Sequence, residues 1–552
     1  MKAKRVYGID LGTTYSCIAH VDEHGKPVVL QNAEGDSTTP SVVYFESPSN
    51  IVVGQTAKDA AALFADQCVS TVKRAMGNSQ WERSFFGQAY KPQDISSFIL
   101  RKVVGDAENL IGEKIEDVVI TCPAYFGLNE KEATKQAGVL AGLNVLYVIP
   151  EPTAAALAYG IEQSEDQVIL VYDLGGGTFD ITLIEIKSSE ITVICTGGDR
   201  ELGGKDWDDA IVSYFAQRFE EETGTSADSL LDDQETYQEL LTAAERTKKA
   251  LSSRQSVIEG LRFEGERVKV EVSREKFDEI TAPYLERTLS LTEQELEKAR
   301  SKGYSKIDKL LLVGGSTYMP QVIETVRRRF PFEIRQFDPN QAVAKGAALF
   351  GYKCYLDEEI KVRVAQETGQ STAELDLEKV DDSVIEKAQK EVAQDHGLTL
   401  PGLREMVNKK ITNVTSKSFG VVVINRAERE VVDNLIQVDE AVPKKITKRY
   451  GTFAEGQIQV DLRCMENTFD RQEVELGDCT ELGNTVLAFG RPMPQGSPIE
   501  VTFELGADGL LTLVGRDLTQ GGQIDARFET RAIMSREEAD VAKSRNLAMQ
   551  VS

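Results

Sequence analysis

The chain has 552 residues, of which 63 are Lys or Arg and 89 are Asp or Glu, for a formal net charge of −26. This length suits about three or four domains, and such a negative charge argues against nucleic acid or an anionic membrane as a partner. Seven cysteines without a C-x-x-C pair indicate a reducing compartment, so a cytoplasmic location is expected. We expect neither a signal peptide nor a membrane span, because no apolar run approaches the roughly 18 residues that a span needs.

Three glycine-rich loops follow strand-like apolar runs: GIDLGTT at residues 8–14, DLGGGTFD at 173–180 and VGGST at 313–317. The first two share an order of aspartate, glycines and hydroxyl residues, which begins at Asp10 and recurs at Asp173. Two ordinary hairpin turns would be the simpler interpretation, but the shared order favours an internal duplication of one lobe.

The residue types of these loops suit a polyphosphate that is held from several sides. Glycine lets backbone N–H groups approach phosphate oxygens, and successive N–H groups form an anion-binding nest. Further donors are the hydroxyl groups of Thr13, Thr14, Thr178 and Ser316. Carboxylates beside a polyphosphate require a cation between them, so Mg²⁺ held largely through its own waters is implied by Asp10, Asp173 and Asp180. The pattern is neither a P-loop nor a Rossmann fingerprint.

Strand-like runs at residues 168–172 and 309–313 alternate with helical stretches, so residues 1–355 are predicted to form an α/β domain. Amphipathic helices are predicted over residues 206–222 and 232–251.

Residues 356–410 break this pattern, because they are highly charged and poor in aromatic residues. One helix is predicted there, at about 382–394 and closed by Gly397, so this charged insertion is expected to be a mobile tether. From 411 to 530 apolar and polar residues alternate, as in IQVDLR at 458–463, which predicts an all-β sandwich.

Five segments follow one another in a fixed order: GIDLGTTYSCI (8–18), VIPEPTAAALAYGI (148–161), DLGGGTFD (173–180), GGKDWDD (203–209) and VGGST (313–317). In order and spacing they resemble the DnaK-type chaperones, the seventy-kilodalton heat-shock family. The stretch PEPTAAALAYG separates these chaperones from actin-like filaments and sugar kinases of the same superfold. A thinner resemblance continues over residues 414–528, and KRAMG at 73–77 is similar to the specialised bacterial branch.

The resemblance implies an actin-like two-lobed ATPase domain with duplicated ribonuclease-H-like lobes, followed by an all-β sandwich. It implies an ATP-dependent molecular chaperone that binds extended apolar peptide segments and uses slow ATP hydrolysis as a switch. The cofactors would be ATP or ADP with Mg²⁺. The partners would be unfolded polypeptide, a J-domain co-chaperone and a nucleotide exchange factor.

The resemblance also assigns roles to individual positions. Catalysis falls to Asp10, Lys73, Glu151, Asp173, Thr178 and Asp180. The phosphates would be held by Gly12, Thr13, Thr14 and Tyr15 in the first loop and by Gly176 and Gly177 in the second. The adenosine would be held by Gly315, Ser316, Tyr318, Asn340 and a predicted helix face that carries Glu245, Lys248, Lys249 and Ser252 at i, i+3, i+4 and i+7. A solvated charged stripe would produce the same spacing on that helix.

Three of these positions depart from the family pattern. Tyr318 stands where an arginine usually stacks on adenine, Lys249 replaces a common arginine, and Asn340 replaces a carboxylate. The expected consequence is a change in affinity or base preference, with the phosphate chemistry intact.

Communication between the domains is implied by Pro123 and Lys131, which match relay positions of the family, and by the linker KKITNV at 409–414, which replaces a leucine-rich strand. The peptide cleft is assigned to Val421, Ile424, Tyr450, Phe453, Val460 and Leu462. Alternating apolar residues are usually sandwich core, so Val460 and Leu462 have that second interpretation, whereas Tyr450 and Phe453 are expected at the surface.

Residues 531–552 contain one predicted helix, a residual lid, opened by a capping box at Ser535 and Glu538. Its roughly four turns are expected to pack against the β-sandwich without closing its mouth, so peptide should leave quickly. Two alternatives remain open. One is an ATP-binding regulator of a specific protein partner, and the other is a small-molecule kinase of the same superfold, which the β module argues against.

Overall fold

The computed structural model describes residues 5–160, 165–372, 375–506, 510–519, 521–527, 534 and 536–552. Ser535, the predicted capping residue, lies outside these described residues. Among the described helices, none combines the length and apolar character that crossing a bilayer requires.

Residues 5–160 form the first lobe. Its strands are β1 (Tyr7–Asp10), β2 (Tyr15–Val21), β3 (Pro27–Leu30), β4 (Thr39–Pro40), β5 (Val43–Ser47), β6 (Asn50–Val53), β7 (Cys68–Val69), β8 (Arg83–Phe85), β9 (Gln88–Tyr90), β10 (Asp117–Cys122) and β11 (Asn144–Pro150). Its helices are α1 (Gln55–Ala60), α2 (Pro92–Ile111), α3 (Leu128–Leu140) and α4 (Glu151–Gly160), with short 3-10 helices at Ala65–Gln67 and Val72–Ala75. The main sheet has the order β11-β10-β1-β2-β3, with β1 parallel to β10 and antiparallel to β2.

Residues 165–340 form the second lobe. Its strands are β12 (Gln167–Leu174), β13 (Phe179–Ile186), β14 (Glu190–Asp199), β15 (Ser256–Phe263), β16 (Glu266–Ser273), β17 (Lys309–Val313) and β18 (Glu333–Gln336). Its helices are α5 (Gly204–Thr223), α6 (Ala227–Asp232), α7 (Gln234–Leu251), α8 (Arg274–Ser301) and α9 (Pro320–Arg329), with a 3-10 turn at Gly315–Tyr318. The sheet order β18-β17-β12-β13-β14 repeats that of the first lobe strand for strand, which confirms the predicted duplication.

Helices α4 and α10 (Ala342–Thr368) pack between the two lobes. They approach each other closely because the contact consists of small residues: a Cβ atom on Gly346 would lie 1.7 Å from the carbonyl oxygen of Ala154. The same apolar core includes buried side chains from β2, β12 and β17, so one packed layer fixes the separation of the lobes.

The structure corrects the prediction of a mobile tether over residues 356–410. Helix α10 continues to Thr368, and α11 (Asp382–Asp395) and α12 (Leu400–Val407) pack against it. Their shared core contains the buried side chains of Leu356, Ile360, Val364, Leu375, Val392 and Leu403. The prediction is wrong because the high charge concealed apolar residues three or four positions apart, which give each helix one buried face.

The following segment is all-β, as predicted. Its strands are β19 (Lys410–Val414), β20 (Ser418–Ile424), β21 (Glu430–Ile436), β22 (Ala441–Val442), β23 (Lys444–Gly451), β24 (Gln457–Asn467), β25 (Glu473–Glu475), β26 (Thr480–Met493), β27 (Pro498–Leu505), β28 (Leu511–Asp517) and β29 (Gln523–Arg527). Two sheets, β25-β21-β20-β24-β26 and β23-β27-β28-β29, enclose one apolar core. The first strand, β19, belongs to neither of them.

Strand β19, which is the linker, extends the sheet of the second lobe. It runs parallel to β14, where Ile411 lies opposite Ile191, and its other edge pairs with β22. Lys409 precedes it and is buried, with its Nζ donating to the carbonyl of Gly160 at 2.8 Å. Burial lowers the pKa of Lys409. The linker therefore docks on the ATPase-like lobes through backbone pairing, which does not depend on leucine side chains.

The C-terminal helix lies elsewhere than predicted. Helix α13 (Arg536–Ala548) packs on α2 and α3 of the first lobe, not on the β-sandwich, and β30 (Gln550–Val551) runs parallel to β6. Buried Asn546 donates to Asp94 Oδ1 at 3.0 Å and to Ser97 Oγ at 3.1 Å. The prediction is wrong because these polar partners belong to distant parts of the chain, and no local pattern in α13 reveals them.

Candidate functional site

A cleft of about 780 Å³ opens between the two lobes, and the three glycine loops face it. Most residues assigned to catalysis or nucleotide binding line it: Asp10, Gly12, Thr13, Thr14, Tyr15, Lys73, Glu151, Asp173, Gly176, Thr178, Glu245, Lys248, Lys249, Ser252, Gly315, Ser316, Tyr318 and Asn340. The remaining two assigned residues, Gly177 and Asp180, lie beside this wall on the second loop and on β13. Residues that are distant in sequence thus meet at one site.

The first and second glycine loops touch across the cleft, and the contact depends on absent side chains. A Cβ atom on Gly176 would lie 2.0 Å from Thr14 Oγ1, and one on Gly177 would lie 2.3 Å from Thr13 Cγ2. Behind them, a Cβ atom on Gly203 would lie 2.5 Å from the backbone nitrogen of Gly177. The start of α5 therefore supports the second loop from below.

The floor of the cleft contains one buried cation among several buried carboxylates. Lys73, which is 5% exposed, forms an ion pair with Glu151. Thr121 Oγ1 donates to Asp10 Oδ1 at 3.2 Å. Burial, followed by the charge of Glu151, raises the pKa of Asp10 to about 7. Although burial lowers the pKa of Lys73, Glu151 and Asp10 raise it overall, so this side chain is a cation.

Two further carboxylates lie opposite each other on adjacent strands of the second lobe. Asp173 on β12 and Asp180 on β13 are partners in the antiparallel register, and both are buried. Asp180 Oδ1 accepts a hydrogen bond of 2.9 Å from the backbone nitrogen of Ala124. Burial and the charge of Glu151 raise the pKa of both aspartates well above the ordinary range. Four acidic side chains share one ammonium, and the raised pKa values reflect the cost of holding them all ionised together.

Within the described residues, no group of three or more His, Cys, Asp or Glu side chains is spaced to ligate a metal ion directly.

The mouth of the cleft is bridged by a cluster around Tyr15. The Tyr15 hydroxyl donates to Glu245 Oε1 at 2.9 Å and accepts from Lys58 at 3.0 Å and from Lys249 at 2.7 Å. Lys58 also forms an ion pair with Glu245. Although burial raises the pKa of Glu245, the two lysines lower it to about 2. Tyr15 and Lys58 belong to the first lobe and Glu245 to the second, so this cluster ties the lobes together.

The wall formed by the second lobe is held by Lys248. Its Nζ donates to the carbonyl of Gly204 at 2.8 Å and to Asp208 Oδ2 at 2.7 Å. Burial raises the pKa of Asp208 to about 6, against the opposing effect of Lys248. Tyr318 is 46% exposed at the cleft. Its ring therefore has an open face available to a flat ligand.

The residues assigned to the peptide cleft divide into two groups. Val421 and Leu462 are buried in the sandwich core, which corrects their assignment to an open cleft. Alternate residues of a β-strand face the same side of the sheet, so Val421 and Leu462 lie among the residues that face the core. Ile424 and Phe453 are exposed, the latter by 49%. Tyr450 and Val460 are half-buried.

Tyr450 meets the expected surface position only in part, because its ring is half-buried and its hydroxyl donates to Asp433 Oδ2 at 2.7 Å. A half-buried ring thus has a fixed partner. Val460 and Ile458 continue the row of Leu462 outward, and Ile458 is 60% exposed, so an apolar row leads out of the core.

The loop after β10 links the cleft with the β-sandwich. Ala124 bonds to Asp180 in the cleft, and Ser416 Oγ, from the sandwich side, donates to the carbonyl of Phe126 at 2.9 Å. Pro123 begins this loop. On the second lobe, Lys298 pairs with Asp439 of the β module at 3.2 Å.

Sequence reasoning missed Lys58, Asp208 and Arg74. Asp208 belongs to the GGKDWDD motif, so that motif could have revealed it. Arg74 follows Lys73 directly and donates to the carbonyl of Gly177 at 2.8 Å. Lys58 has no local signal, because its partner Glu245 is remote in sequence.

Two lobes of duplicated topology, a cleft lined by glycine loops and a β-sandwich define an actin-like ATPase joined to an all-β module. The family model described as Hsp70 protein matches residues 6–355 and 393–550. The chain is 36% identical over 551 residues to proteins named "Chaperone protein DnaK" from two strains of Halobacterium salinarum, covering 98% of this chain and 77% of each relative. The chain therefore belongs to the Hsp70 family, and it is an ATPase that serves as an ATP-dependent chaperone.

Proposed function

We propose that the cleft binds ATP with Mg²⁺ and hydrolyses it slowly, and that the β-sandwich binds an extended apolar peptide whose release depends on the nucleotide. The observation that carries the proposal is the cleft floor, where four carboxylates face the Lys73 ammonium beneath two glycine loops. A polyphosphate would add still more negative charge to this floor. A divalent cation offsets both sets of charges, so the residues fit Mg²⁺.

The ion would be held through its waters by Asp10, Asp173 and Asp180. When bound, Mg²⁺ would offset the phosphate charge and orient the terminal phosphoryl group. The backbone N–H groups of both glycine loops would hold the phosphate oxygens, as nests do. The hydroxyl of Thr178 adds a donor on the second loop.

Lys73 would stabilise negative charge on the transferred phosphoryl group and orient the attacking water. Its pairing with Glu151 fixes the ammonium in place and keeps it protonated. Loss of one such donor in a dry site typically costs about 3–4 kcal/mol of transition-state stabilisation. Asp180 would orient the same water from the other side.

The adenosine would lie between α7 and the 3-10 turn that carries Tyr318. Glu245, Lys249 and Ser252 border this part of the cleft, and Asn340 approaches Gly315 from behind. Stacking on Tyr318 would replace the guanidinium contact that is usual in the family.

We divide the chain into an ATPase domain over residues 1–355, a helical insertion over 356–410, a β-sandwich over 411–530 and a C-terminal helical segment over 531–552. Peptide binding is proposed for the apolar side chains of Ile424, Phe453 and Ile458, which are exposed, and of Val460, which is half-buried. An extended peptide would add backbone hydrogen bonds and place its apolar side chains against these residues.

Communication between the sites would follow the loop 123–127. A change at Asp180 alters the position of Ala124, and two residues later Phe126 bonds to Ser416 at the entry to the sandwich. This short path supports the relay role proposed for Pro123. Lys131 lies in α3, just after this loop.

Family membership favours a J-domain co-chaperone and a nucleotide exchange factor as further partners, and a cytoplasmic location suits the free cysteines of the described chain. The regulator and kinase alternatives receive no support from the site. A kinase would need a second substrate pocket, whereas the β module offers an apolar surface.

The test measures steady-state ATP hydrolysis with and without an extended apolar peptide, using a polar peptide of equal length as the control. The proposal expects slow basal turnover that the apolar peptide accelerates, and a weaker response in Phe453→Asp. Basal turnover without any peptide response would contradict the chaperone coupling. No Mg²⁺-dependent hydrolysis at all would contradict the assignment of the cleft.

A further inference from the structure

Arg74 lies outside the cleft, yet its side chain crosses from the first lobe to the second. It belongs to the 3-10 helix Val72–Ala75, directly after Lys73. Its Nε donates to the carbonyl of Gly177 at 2.8 Å, and its Nη2 donates to Asp206 Oδ2 at 3.0 Å. The two acceptors belong to the phosphate loop of the second lobe and to the first turn of α5. One guanidinium therefore joins three elements.

These acceptors are themselves fixed. Asp206 Oδ2 also accepts the backbone N–H of Gly203 at 2.7 Å, which closes the first turn of α5. The backbone of Gly203 abuts Gly177. Arg200 Nη2 donates to the carbonyl of Arg74 at 3.1 Å and holds the backbone of this turn from the second lobe. The bridge is thus a built network and not a single surface ion pair.

The turn that carries Lys73 also has an unusual backbone. Thr71, two residues before Lys73, has a φ of 54° in the left-handed region. This conformation is costly for a β-branched residue and persists only where surrounding contacts impose it. The hydrogen bonds of Arg74 hold the other end of the same turn in place, so they help to impose this conformation on Thr71.

The geometry points to Arg74 as a positioning residue for ATP hydrolysis, which fixes the Lys73 ammonium relative to the second phosphate loop. A guanidinium suits this task because its planar fork holds two acceptors at a set angle. In a trans peptide the C=O of Gly177 and the N–H of Thr178 point in opposite directions. By fixing that carbonyl, Arg74 therefore also fixes the direction of the Thr178 N–H. Arg74 itself is not among the residues that line the cleft.

The inference rests on the proposed role of Lys73, and the two can fail separately. If Lys73→Ala hydrolyses ATP at the parental rate, the proposed site is wrong. If Lys73→Ala is slow but Arg74→Ala is not, only the present inference is wrong.

The experiment compares Arg74→Ala, Arg74→Lys and the control Arg83→Ala in the full chain. Arg83 is exposed on β8 of the same lobe. Single-turnover hydrolysis and the dissociation constant for ATP are measured for each variant, with the melting temperature as a check on folding. We expect both Arg74 variants to hydrolyse ATP at least tenfold more slowly, with affinity changed less than twofold, and Arg83→Ala to match the parent.

Arg74→Lys makes the test specific, because lysine keeps the charge and loses the fork. Parental hydrolysis in Arg74→Lys would overturn the positioning role, since charge alone would then suffice. A parallel fall in affinity and rate would overturn it as well, because it would mean that Arg74 merely closes the cleft. If Arg74→Ala fails to fold, the lysine variant still decides between these outcomes.

Discussion

Substitution of Gly203 by alanine is the sharpest perturbation that the site offers. A Cβ atom at this position would lie 2.5 Å from the nitrogen of Gly177 and 2.6 Å from its Cα and carbonyl carbon. All three are backbone atoms, so no side-chain rotation relieves the overlap. The backbone of Gly203 is extended, with φ of −174°, and alanine adopts that conformation freely. Any loss of activity in Gly203→Ala would therefore come from the steric overlap alone, and not from backbone strain.

The size of the effect follows from these distances. Ordinary contacts begin at 3.4 Å, so the second phosphate loop and the start of α5 must separate by about 1 Å. Their backbone bonds, from Gly204 to Gly175 at 3.0 Å and from Lys205 to Gly176 at 2.7 Å, would weaken with that shift. A misplacement of about 1 Å near reacting groups can cost 100-fold in rate. That factor corresponds to about 2.7 kcal/mol of activation free energy.

The assay is single-turnover ATP hydrolysis, with Gly105→Ala as the matched control. Gly105 lies in α2, and a Cβ atom there would meet nothing within 4 Å. We expect an unchanged rate in the control and a gain of about 0.5–1 kcal/mol in stability, because alanine is the better helix former. Gly203→Ala should lose about 100-fold in rate. Parental activity in Gly203→Ala would refute the reasoning, since the two segments would then not need this close contact.

Four further predictions concern the site, the insertion and the interface. Asp173→Asn and Lys73→Ala should each slow hydrolysis at least about 100-fold, and single-turnover rates equal to the parent's would contradict the assignment. Tyr318→Ala should weaken ATP binding by about 0.5–1.5 kcal/mol if the ring stacks on adenine, and Tyr318→Arg should restore it in the same titration. Leu403→Ala should lower the free energy of unfolding, measured by urea denaturation, by about 2–5 kcal/mol. An unchanged free energy of unfolding would favour the mobile tether over the packed insertion. Glu466 of β24 faces the first lobe, because a Cβ atom on Gly127 would lie 3.0 Å from its Oε2 atom, and burial raises its pKa to about 7. Protonation of Glu466 therefore favours the docked form, so docking of the sandwich should weaken as the pH rises from 4.5 through about 7. Hydrogen exchange at this contact should show that dependence, and Glu466→Gln should abolish it.

The sequence predicted well which residues meet at the cleft, because the motifs that contain them are local. Each phosphate loop is a run of adjacent residues, and glycine at those positions has a direct physical cause in the 2.0–2.5 Å approaches around Gly176, Gly177 and Gly203. The shared order of the first two loops predicted the duplication, which the repeated sheet order confirms. Motifs of this kind can be read without knowledge of the fold.

Residues that act across the lobes could not be predicted in this way. Arg74 and Lys58 are single charged residues, and a single charged residue usually indicates a solvated surface. Their partners, Asp206 and Glu245, belong to the other lobe. Only the assembled fold brings them together.

The prediction for the insertion, residues 356–410, was wrong for a different reason. Composition averages over a segment, whereas a helix needs only one apolar face to pack. Leu356, Ile360 and Val364 lie on one such face of α10, and Val392 of α11 packs in the same core. The charged residues between them occupy the outer faces, so a high mean charge is compatible with a folded unit.

The position of the C-terminal segment changes how the β-sandwich is held. Strand β19, which precedes the sandwich in the chain, is part of the sheet of the second lobe. Helix α13 and strand β30, which follow the sandwich, are attached to the first lobe. The first-lobe attachment is strong, because Arg101 donates to the carbonyl of Met549 at 2.9 Å and buried Asn546 bonds to Asp94. The sandwich is therefore anchored at both ends, one on each lobe. We expect a rotation of the lobes to change the separation of these anchors, and so to act on the sandwich by a path that does not include the loop at Pro123.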